Sequence, residues 1–243
     1  MRTPRVFVDF ALAAEQRVSL PAGPSQHLVQ VLRLRSGDPV ILFNGDGTDF
    51  PSVLVEVARR GVVVKLGRPG TREPEPTLVV HLAIGISKGE RMDFALQKAV
   101  ELGVSSIAPL FSERSVVRLS GVRLDKRRQH WQGVTIAACE QSGRRRLPIL
   151  HPAENLETWL PKDHGYSLLL DHRAETPLPL LPAPASELTL LIGPEGGLAP
   201  YERAQAHRAG FVGARLGPRI LRTETAPLAA LAVIQGLWGD LRR

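Results

Sequence analysis

One cysteine in 243 residues, Cys139, excludes an intrachain disulfide and leaves no thiolate cluster for zinc. The seven histidines have no metal-ligand spacing, so metal-free chemistry is expected. No run approaches the roughly 18 consecutive apolar residues of a membrane span. The opening MRTPRVFVDF lacks the apolar stretch of a secretory signal, so the expectation is a cytoplasmic chain with no membrane attachment. What is present, 43% hydrophobic and 23% charged residues with 22 Gly and 20 Pro, is globular composition, which sets aside disordered, collagen-like and fibrous classes.

The net charge of +7 is concentrated in one window. Residues 112 to 146 hold 9 Lys/Arg against 3 Asp/Glu, which is six of the seven net charges. A basic strip favours a polyanion without reading its sequence, because each cation set against a phosphate releases condensed counterions. A solvated helix face is the alternative for the same charges.

Up to residue 70 the chain reads as a small β-rich module. VILF at 40–43, the turn Asn44-Gly45-Asp46-Gly47, SVLVEVARR and GVVVKLG form successive strands, the last two joined at Gly61. Before them, SQHLVQVLRLRSGD places His27, Val31, Leu32 and Leu34 near helical spacing, with Gly37 past the end. Pro69 to Pro76 reads as a linker, so the expected domains are 1–70, a connection at 71–76, and 77–243. From Thr77, apolar runs (LVVHLAIG, SIAPLF, YSLLLD, ELTLLIG) alternate with helical segments, the pattern of an α/β domain with a mostly parallel sheet. One helix covers KGERMDFALQKAVELG, with Met92, Ala95, Leu96, Ala99 and Leu102 on one stripe and a stop at Gly103. A second is expected from about Asp125 to Ser142, stopping at Gly143, and a third from Pro200 to Gly210. TPLPLLPAPA at 176–185 reads as a surface connection. Trp131, Trp159, Trp238 and Cys139 are assigned to packing.

Two loops carry the densest chemical information: Leu191-Ile192-Gly193-Pro194-Glu195-Gly196-Gly197, and Leu216 to Ala226 (LGPRILRTETA). In an α/β sheet ligands bind beyond the carboxyl ends of the strands, and glycine there lets backbone groups approach a flat ligand. A plain tight turn is the other reading of the first loop. Neither loop fits GxxxxGK[ST] or GxGxxG, which weighs against ATP hydrolysis and dinucleotide binding of the usual kinds.

KGERMDFALQKAVELGV, AACEQSGRRRLP, LIGPEGG and LGPRILRTETA occur in this order, with Arg5, His27, Leu32-Arg33 and Gly37-Asp38 ahead of them. Together they resemble the RsmE-type 16S rRNA uridine-N3 methyltransferases, of the SPOUT class of S-adenosylmethionine-dependent enzymes, and the match spans essentially the whole chain. The resemblance implies an N-terminal PUA-like β-barrel that binds RNA. It also implies a C-terminal domain with a deep trefoil knot, a homodimer, and a substrate in 16S rRNA of the small ribosomal subunit. It carries cofactor contacts onto Leu191, Ile192, Gly193, Pro194, Gly196 and Gly197 in one loop, and onto Leu216, Gly217, Ile220, Leu221 and Arg222 in the other. Leu169-Leu170-Asp171 is the third wall, with Leu170 the contact. The chain departs from the family's commoner pattern at Ala199, where a helix-capping Ser is usual, a loss of about 1 kcal/mol. It departs again at Pro227, tolerable in a first helical turn.

Methyl transfer to an imide nitrogen needs N3 in line with the methyl group and stripped of its proton, so the site must stabilise a uracil anion. Arg222 and Arg144 are the candidate cations, since a guanidinium stays charged and offers paired donors. A salt bridge to Glu224 or Glu140 is the alternative use of each. Glu224 is the first candidate for the proton, Glu140 the second, and solvent the third; a free carboxylate titrates near pH ~4 and needs burial to act as a base here. Thr223 and Thr225 either order the loop or cap a helix. RNA contacts are expected from Arg5, His27, Arg33, Lys88, Arg91, Lys98, Glu140 and the run Arg144, Arg145 and Arg146, with Arg91 and Lys98 two helical turns apart and set to grip phosphates. The rival readings are a non-catalytic RNA-binding assembly factor and a ribose 2'-O-methyltransferase. The intact loops weigh against the first, and LRTETA in place of an Asn-rich final loop against the second.

Overall fold

The computed structural model describes residues 3–58 and 61–242. Two compact units make up the chain: one runs up to Glu75 and includes Ile136–Leu147, and the other comprises Pro76–Thr135 and everything from Pro148.

In the first unit, strands β1 (Arg5–Phe7), β2 (Arg17–Ser19), β3 (Pro39–Phe43), β4 (Asp49–Ala58) and β5 (Gly61–Leu66) form one sheet in the order β1-β3-β4-β5-β2. Only the β1–β3 pairing is parallel. Side chains alternate along β4, so Phe50, Ser52 and Leu54 point inward while Pro51 and Val53 point out. The register then shifts between Leu54 and Glu56. Arg59 and Arg60, expected to prolong β4, lie outside the described residues. Val18, Leu28, Val40, Leu42, Leu54 and Val64 fill the core.

One expectation changes here. The helix expected before Gly37 is a short α1 (Ala22–Gln26) continued by one π turn, His27–Val31, in which the Leu32 N–H donates to His27 O at 3.0 Å. The wider turn shifts the phase of the stripe: Leu28 goes inward while Val31 and Leu32 are exposed. The segment 69–76 is fastened down along its length. The Gly70 N–H donates to Asp49 O (2.8 Å), the Glu73 N–H to Gly47 O (2.7 Å), and the Glu73 carboxylate accepts the backbone N–H groups of Arg145 and Arg146 at 2.6 and 3.2 Å.

The second unit contains β6 (Val79–Gly85), β7 (Ser106–Phe111), β8 (Ile149–Leu150), β9 (Glu154–Asn155), β10 (Ser167–Leu170), β11 (Glu187–Ile192) and β12 (Val212–Ala214). Their order is β12-β10-β11-β6-β7-β8, with β9 also on β7, and every pairing is parallel. β6, β7 and β11 are buried almost throughout, as strands covered on both faces must be. The helices are α2 (Glu90–Glu101), α3 (Gly121–Ser142, in this unit as far as Thr135), α4 (Leu156–Trp159), α5 (Pro200–Arg208) and α6 (Thr225–Leu237). The expected α/β architecture is therefore the one observed. α2 buries Met92, Ala95, Leu96 and Ala99, and α2 and α3 stop at Gly103 and Gly143, where φ is +83° and +87°.

The departures are local. α3 begins at Gly121, ahead of the expected 125, because no breaker separates it from the basic stretch. Ala199 offers no cap to α5, and Glu202 compensates from the third helical position. One carboxylate oxygen accepts the Ala199 N–H at 2.7 Å and the other the Glu113 N–H at 2.8 Å. The segment 176–185 is only partly a surface connection: Leu180 is exposed, but Leu178 is fully buried and its N–H donates to Arg215 O at 2.9 Å.

Candidate active site

β10, β11 and β12 end at Leu170, Ile192 and Ala214, and the chain leaving these ends, with Arg114, surrounds a cleft of about 940 Å³ including its open mouth. Leu170, Ile192, Leu216 and Leu221 give it apolar sides, and Gly193, Gly196 and Gly197 give it bare backbone. A turn closes the glycine loop, with the Gly197 N–H donating to Pro194 O at 2.8 Å and Gly197 at φ +65°. Gly193 is required for a different reason: a Cβ there would stand 2.8 Å from the Leu198 nitrogen and 2.9 Å from the Gly197 carbonyl carbon.

Charged groups frame the apolar walls. Arg114 Nη1 donates to Gly196 O at 3.0 Å. Asp171, nearly buried, meets Arg203 Nε at 3.3 Å, Arg173 Nη1 at 3.5 Å and His172 Nδ1 at 3.6 Å. Arg219 also lines the mouth. Glu195 Oε1 accepts the Lys88 N–H at 2.9 Å and faces Arg91 Nη1 at 3.6 Å, whereas Oε2 is buried with no partner among the described residues. Ser87 Oγ and Thr223 Oγ1 lie 3.1 Å apart, tying the turn before α2 to the final loop.

Of the residues expected at the cofactor, Leu170, Ile192, Gly193, Pro194, Gly196, Gly197, Leu216, Ile220 and Leu221 line this cleft. Leu191 lies beneath it in the apolar core with Leu169 and Ala83, and Gly217 and Arg222 are next to lining residues without lining it themselves. Arg222 is exposed, and neither it nor Glu224 has a side-chain hydrogen bond or ion pair among the described residues, so no Arg222–Glu224 bridge forms. Thr223 orders the loop, and Glu224 occupies the N-cap position of α6 without a cap hydrogen bond from its side chain. Lys98 is held by Glu101 at 2.7 Å. Sequence reasoning passed over Arg114, Arg203, Arg219 and Glu195. Glu195 stands inside a loop already singled out, and Arg114 at the start of the basic window, but nothing in the chain order joins 114 to 196 or 171 to 203.

In the first unit Arg5 and Arg145 share Asp49, at 2.5 and 3.1 Å, and Arg146 pairs with Glu75 at 2.6 Å. The Arg144 carbonyl accepts Arg5 Nη2 at 3.0 Å. Arg145 and Arg146 therefore spend their side chains on internal partners. Glu140 Oε1 accepts the Phe7 N–H at 3.0 Å; burial pushes its carboxyl pKa up, and that hydrogen bond opposes the rise. His27 and Arg33 are exposed, Arg33 with a left-handed backbone at φ +56°. Cys139 is fully buried and its thiol pKa is pushed up to about 11 by burial, which keeps it protonated and inert. Trp131 and Trp159 are buried and Trp238 half-buried.

Near the opposite, amino ends of the strands, His81 and His164 line a separate polar cleft with His151. Burial is the largest influence on both His81 and His164 and lowers their pKa values. An imidazole held neutral in the folded state binds fewer protons than in the unfolded chain. Stability is therefore complete above the unfolded value of about 6.5 and is lost as pH falls through it toward the folded values. Thermal unfolding from pH 7.5 to 5 is expected to show this loss as a falling midpoint. Replacing both by Gln should flatten the slope; an unchanged profile would remove these groups as its cause.

A family model described as an RNA methyltransferase domain matches residues 73–235, and one described as an RNA methyltransferase PUA domain matches residues 25–67. Both matches fit a parallel-sheet unit bearing a terminal cleft and a small β-rich unit ahead of it, the class of RNA methyltransferases with a PUA domain. Among curated proteins, ribosomal RNA small subunit methyltransferase E of Buchnera aphidicola (subsp. Schizaphis graminum) is 33% identical, covering 99% of this chain and 98% of the relative. The Bacillus subtilis protein of the same name is 31% identical over 86% and 85% of the two chains. A crystal structure of a ribosomal RNA small subunit methyltransferase E from Neisseria gonorrhoeae, bound to S-adenosyl methionine, superposes with a TM-score of 0.91 at 39% identity, covering 98% and 99% of the chains. A Legionella pneumophila protein in complex with the bound cofactor SAM gives 0.92 at 35% identity, covering 99% and 100%. The chain belongs to the ribosomal RNA small subunit methyltransferase E family.

Proposed function

We propose that this chain transfers a methyl group from S-adenosylmethionine to N3 of a specific uridine in 16S rRNA of the small ribosomal subunit. The observation that carries the reading is the glycine-opened cleft at the strand ends, in a chain that matches two cofactor-bound structures over nearly its full length. The residues present fit such a ligand. Leu170, Ile192, Leu216 and Leu221 suit a flat adenine, the bare backbone of 193–197 lets it approach, and Asp171 with the arginines at the mouth suits the ammonium and carboxylate of an amino-acid tail. When bound, S-adenosylmethionine supplies an electrophilic methyl group on a sulfonium. Gly193→Ala is expected to weaken its binding by at least ~10-fold, because the clash is with backbone and the loop must move. Calorimetric titration checks this, and wild-type affinity in the variant would remove the loop from the cofactor site.

For stabilising the uracil anion we favour Arg222 over Arg144, because Arg222 stands between the cleft-lining Leu221 and Thr223. Glu224, with no competing partner among the described residues, takes the N3 proton. The limits 1–70, 71–76 and 77–243 are read as RNA-binding module, connection and catalytic domain, supported by the matched ranges. A homodimer in the cytoplasm completes the reading. Its support is α6, apolar all round, whose Leu228, Ala229, Ala232 and Val233 remain half-exposed and call for a second copy.

Exposed Arg123 and Lys126 and half-buried Arg127 carry no ion pair among the described residues and suit RNA phosphates. Replacing all three by alanine is expected to reduce the slope of log K against log salt by about 2 to 3, read by fluorescence anisotropy. An unchanged slope would place these cations off the RNA. The functional reading is tested by methyl-transfer assay on small subunits lacking the modification, compared with free RNA, followed by mass spectrometry of the product. Methyl on uridine N3 supports it; methyl on ribose, or none, overturns it.

A further inference from the structure

α2 presents a second cleft, lined by Arg91, Phe94, Gln97, Val134 and Glu224 with the carboxylates of Glu90 and Asp93. Phe94 is 45% exposed on a helix whose other large apolar residues face inward. This cleft adjoins the cofactor cleft. Thr223 lines one and Glu224 the other, and Arg91 of the second approaches Glu195 of the first at 3.6 Å.

The charges of the second cleft choose among the parts of an RNA chain. Three carboxylates against the Arg91 guanidinium, with the Lys98 ammonium 5.9 Å from the Phe94 ring centroid already held by Glu101, disfavour a phosphate. A nucleobase is neutral. Stacking on an exposed aromatic, with its edge hydrogen-bonded by side chains, is how proteins read an unpaired base. Uracil presents an acceptor, a donor and an acceptor along its pairing edge. Arg91 supplies donors and is oriented by Glu195; Glu224 and Gln97 have no side-chain hydrogen bond among the described residues and supply an acceptor and an amide. Asp93 is committed to His130 at 2.8 Å. Cytosine, with an amino group and an unprotonated N3, would set its donor toward the guanidinium.

We infer that this second cleft is a nucleobase subsite in which the uracil to be methylated stacks on Phe94, with its edge read by Arg91 and Glu224. The inference rests on the functional reading above and deepens it. With the uracil here, its N3–H faces Glu224 where the two clefts adjoin at Thr223 and Glu224, the boundary across which N3 meets the methyl group once S-adenosylmethionine is bound.

The test uses the full chain with small ribosomal subunits lacking the modification. Phe94→Ala is expected to lower kcat/KM for the particle by about 5- to 100-fold, the range that loss of one stacked base gives. Phe94→Tyr should restore it to within about threefold, as the stacking surface is kept. S-adenosylmethionine affinity, melting temperature and oligomeric state should stay at wild-type values, because the ring is half-exposed and lies off the cofactor cleft. A kcat/KM within twofold of wild type in Phe94→Ala would overturn the subsite. So would a change of oligomeric state, which would make the ring a contact with a second copy. If the wild-type chain itself leaves uridine unmethylated, the functional reading fails first, so the two failures are distinguishable.

Discussion

Arg222→Ala is expected to lower kcat by about 10²- to 10³-fold while RNA affinity changes by less than about threefold, since a preorganised donor aimed at developing charge is worth about 2.7–4 kcal/mol in the transition state. The structure makes the separation sharp. Arg222 has no ion pair among the described residues, so its removal leaves no partner stranded, and only its backbone carbonyl is used locally, accepting the N–H groups of Thr225 and Ala226 at 2.9 Å. Single-turnover kinetics with saturating particle and cofactor measure the step, and anisotropy measures binding. Equal losses in both would move Arg222 from chemistry to docking.

The second large effect concerns the first unit. Asp49 holds Arg5 and Arg145 at once, and the side chains of Arg5 and Asp49 are only 5% and 12% exposed. Arg5 also stacks over Phe43, 4.7 Å from the ring centroid, so its guanidinium cannot swing to water without giving up that contact. Asp49→Ala would leave a buried guanidinium without a counter-charge, and loss of one partner of a buried pair costs about 3–5 kcal/mol. Arg145, one-third exposed, adds little beyond this. The expected outcome is a strongly lowered midpoint in urea unfolding followed through the first unit. An unchanged midpoint would show that the pair is replaced by water. Asp49→Asn, which keeps an acceptor, should lose less.

Much of this architecture was legible because it rests on local rules. Strand runs, the helix stops at Gly103 and Gly143, and the stripe Met92–Ala95–Leu96–Ala99 follow from period and backbone conformation, and all stand where the chain order puts them. The glycine loop was legible for a related reason, since three glycines in five residues permit few backbones. The parts that were not legible depend on separation in sequence. Arg145 reads in sequence as one of a run of RNA-contacting arginines; its partner Asp49 lies 96 residues away. Ala199 was read as a missing cap, and the repair by Glu202 follows from a rule that reaches three residues on. Arg91 looked like a phosphate clamp on helical spacing alone. Only the folded chain brings Glu224 and Phe94 into the same cleft as Arg91, the arrangement on which the proposed nucleobase subsite rests.

The cofactor cleft is the claim on which the rest depends, and calorimetric titration of S-adenosylmethionine into the purified chain tests it most directly. Saturable binding of one molecule per protomer is expected, in the range of about 1 μM to 1 mM that enzymes show for their substrates. Absence of saturable heat up to the top of that range would contradict the account.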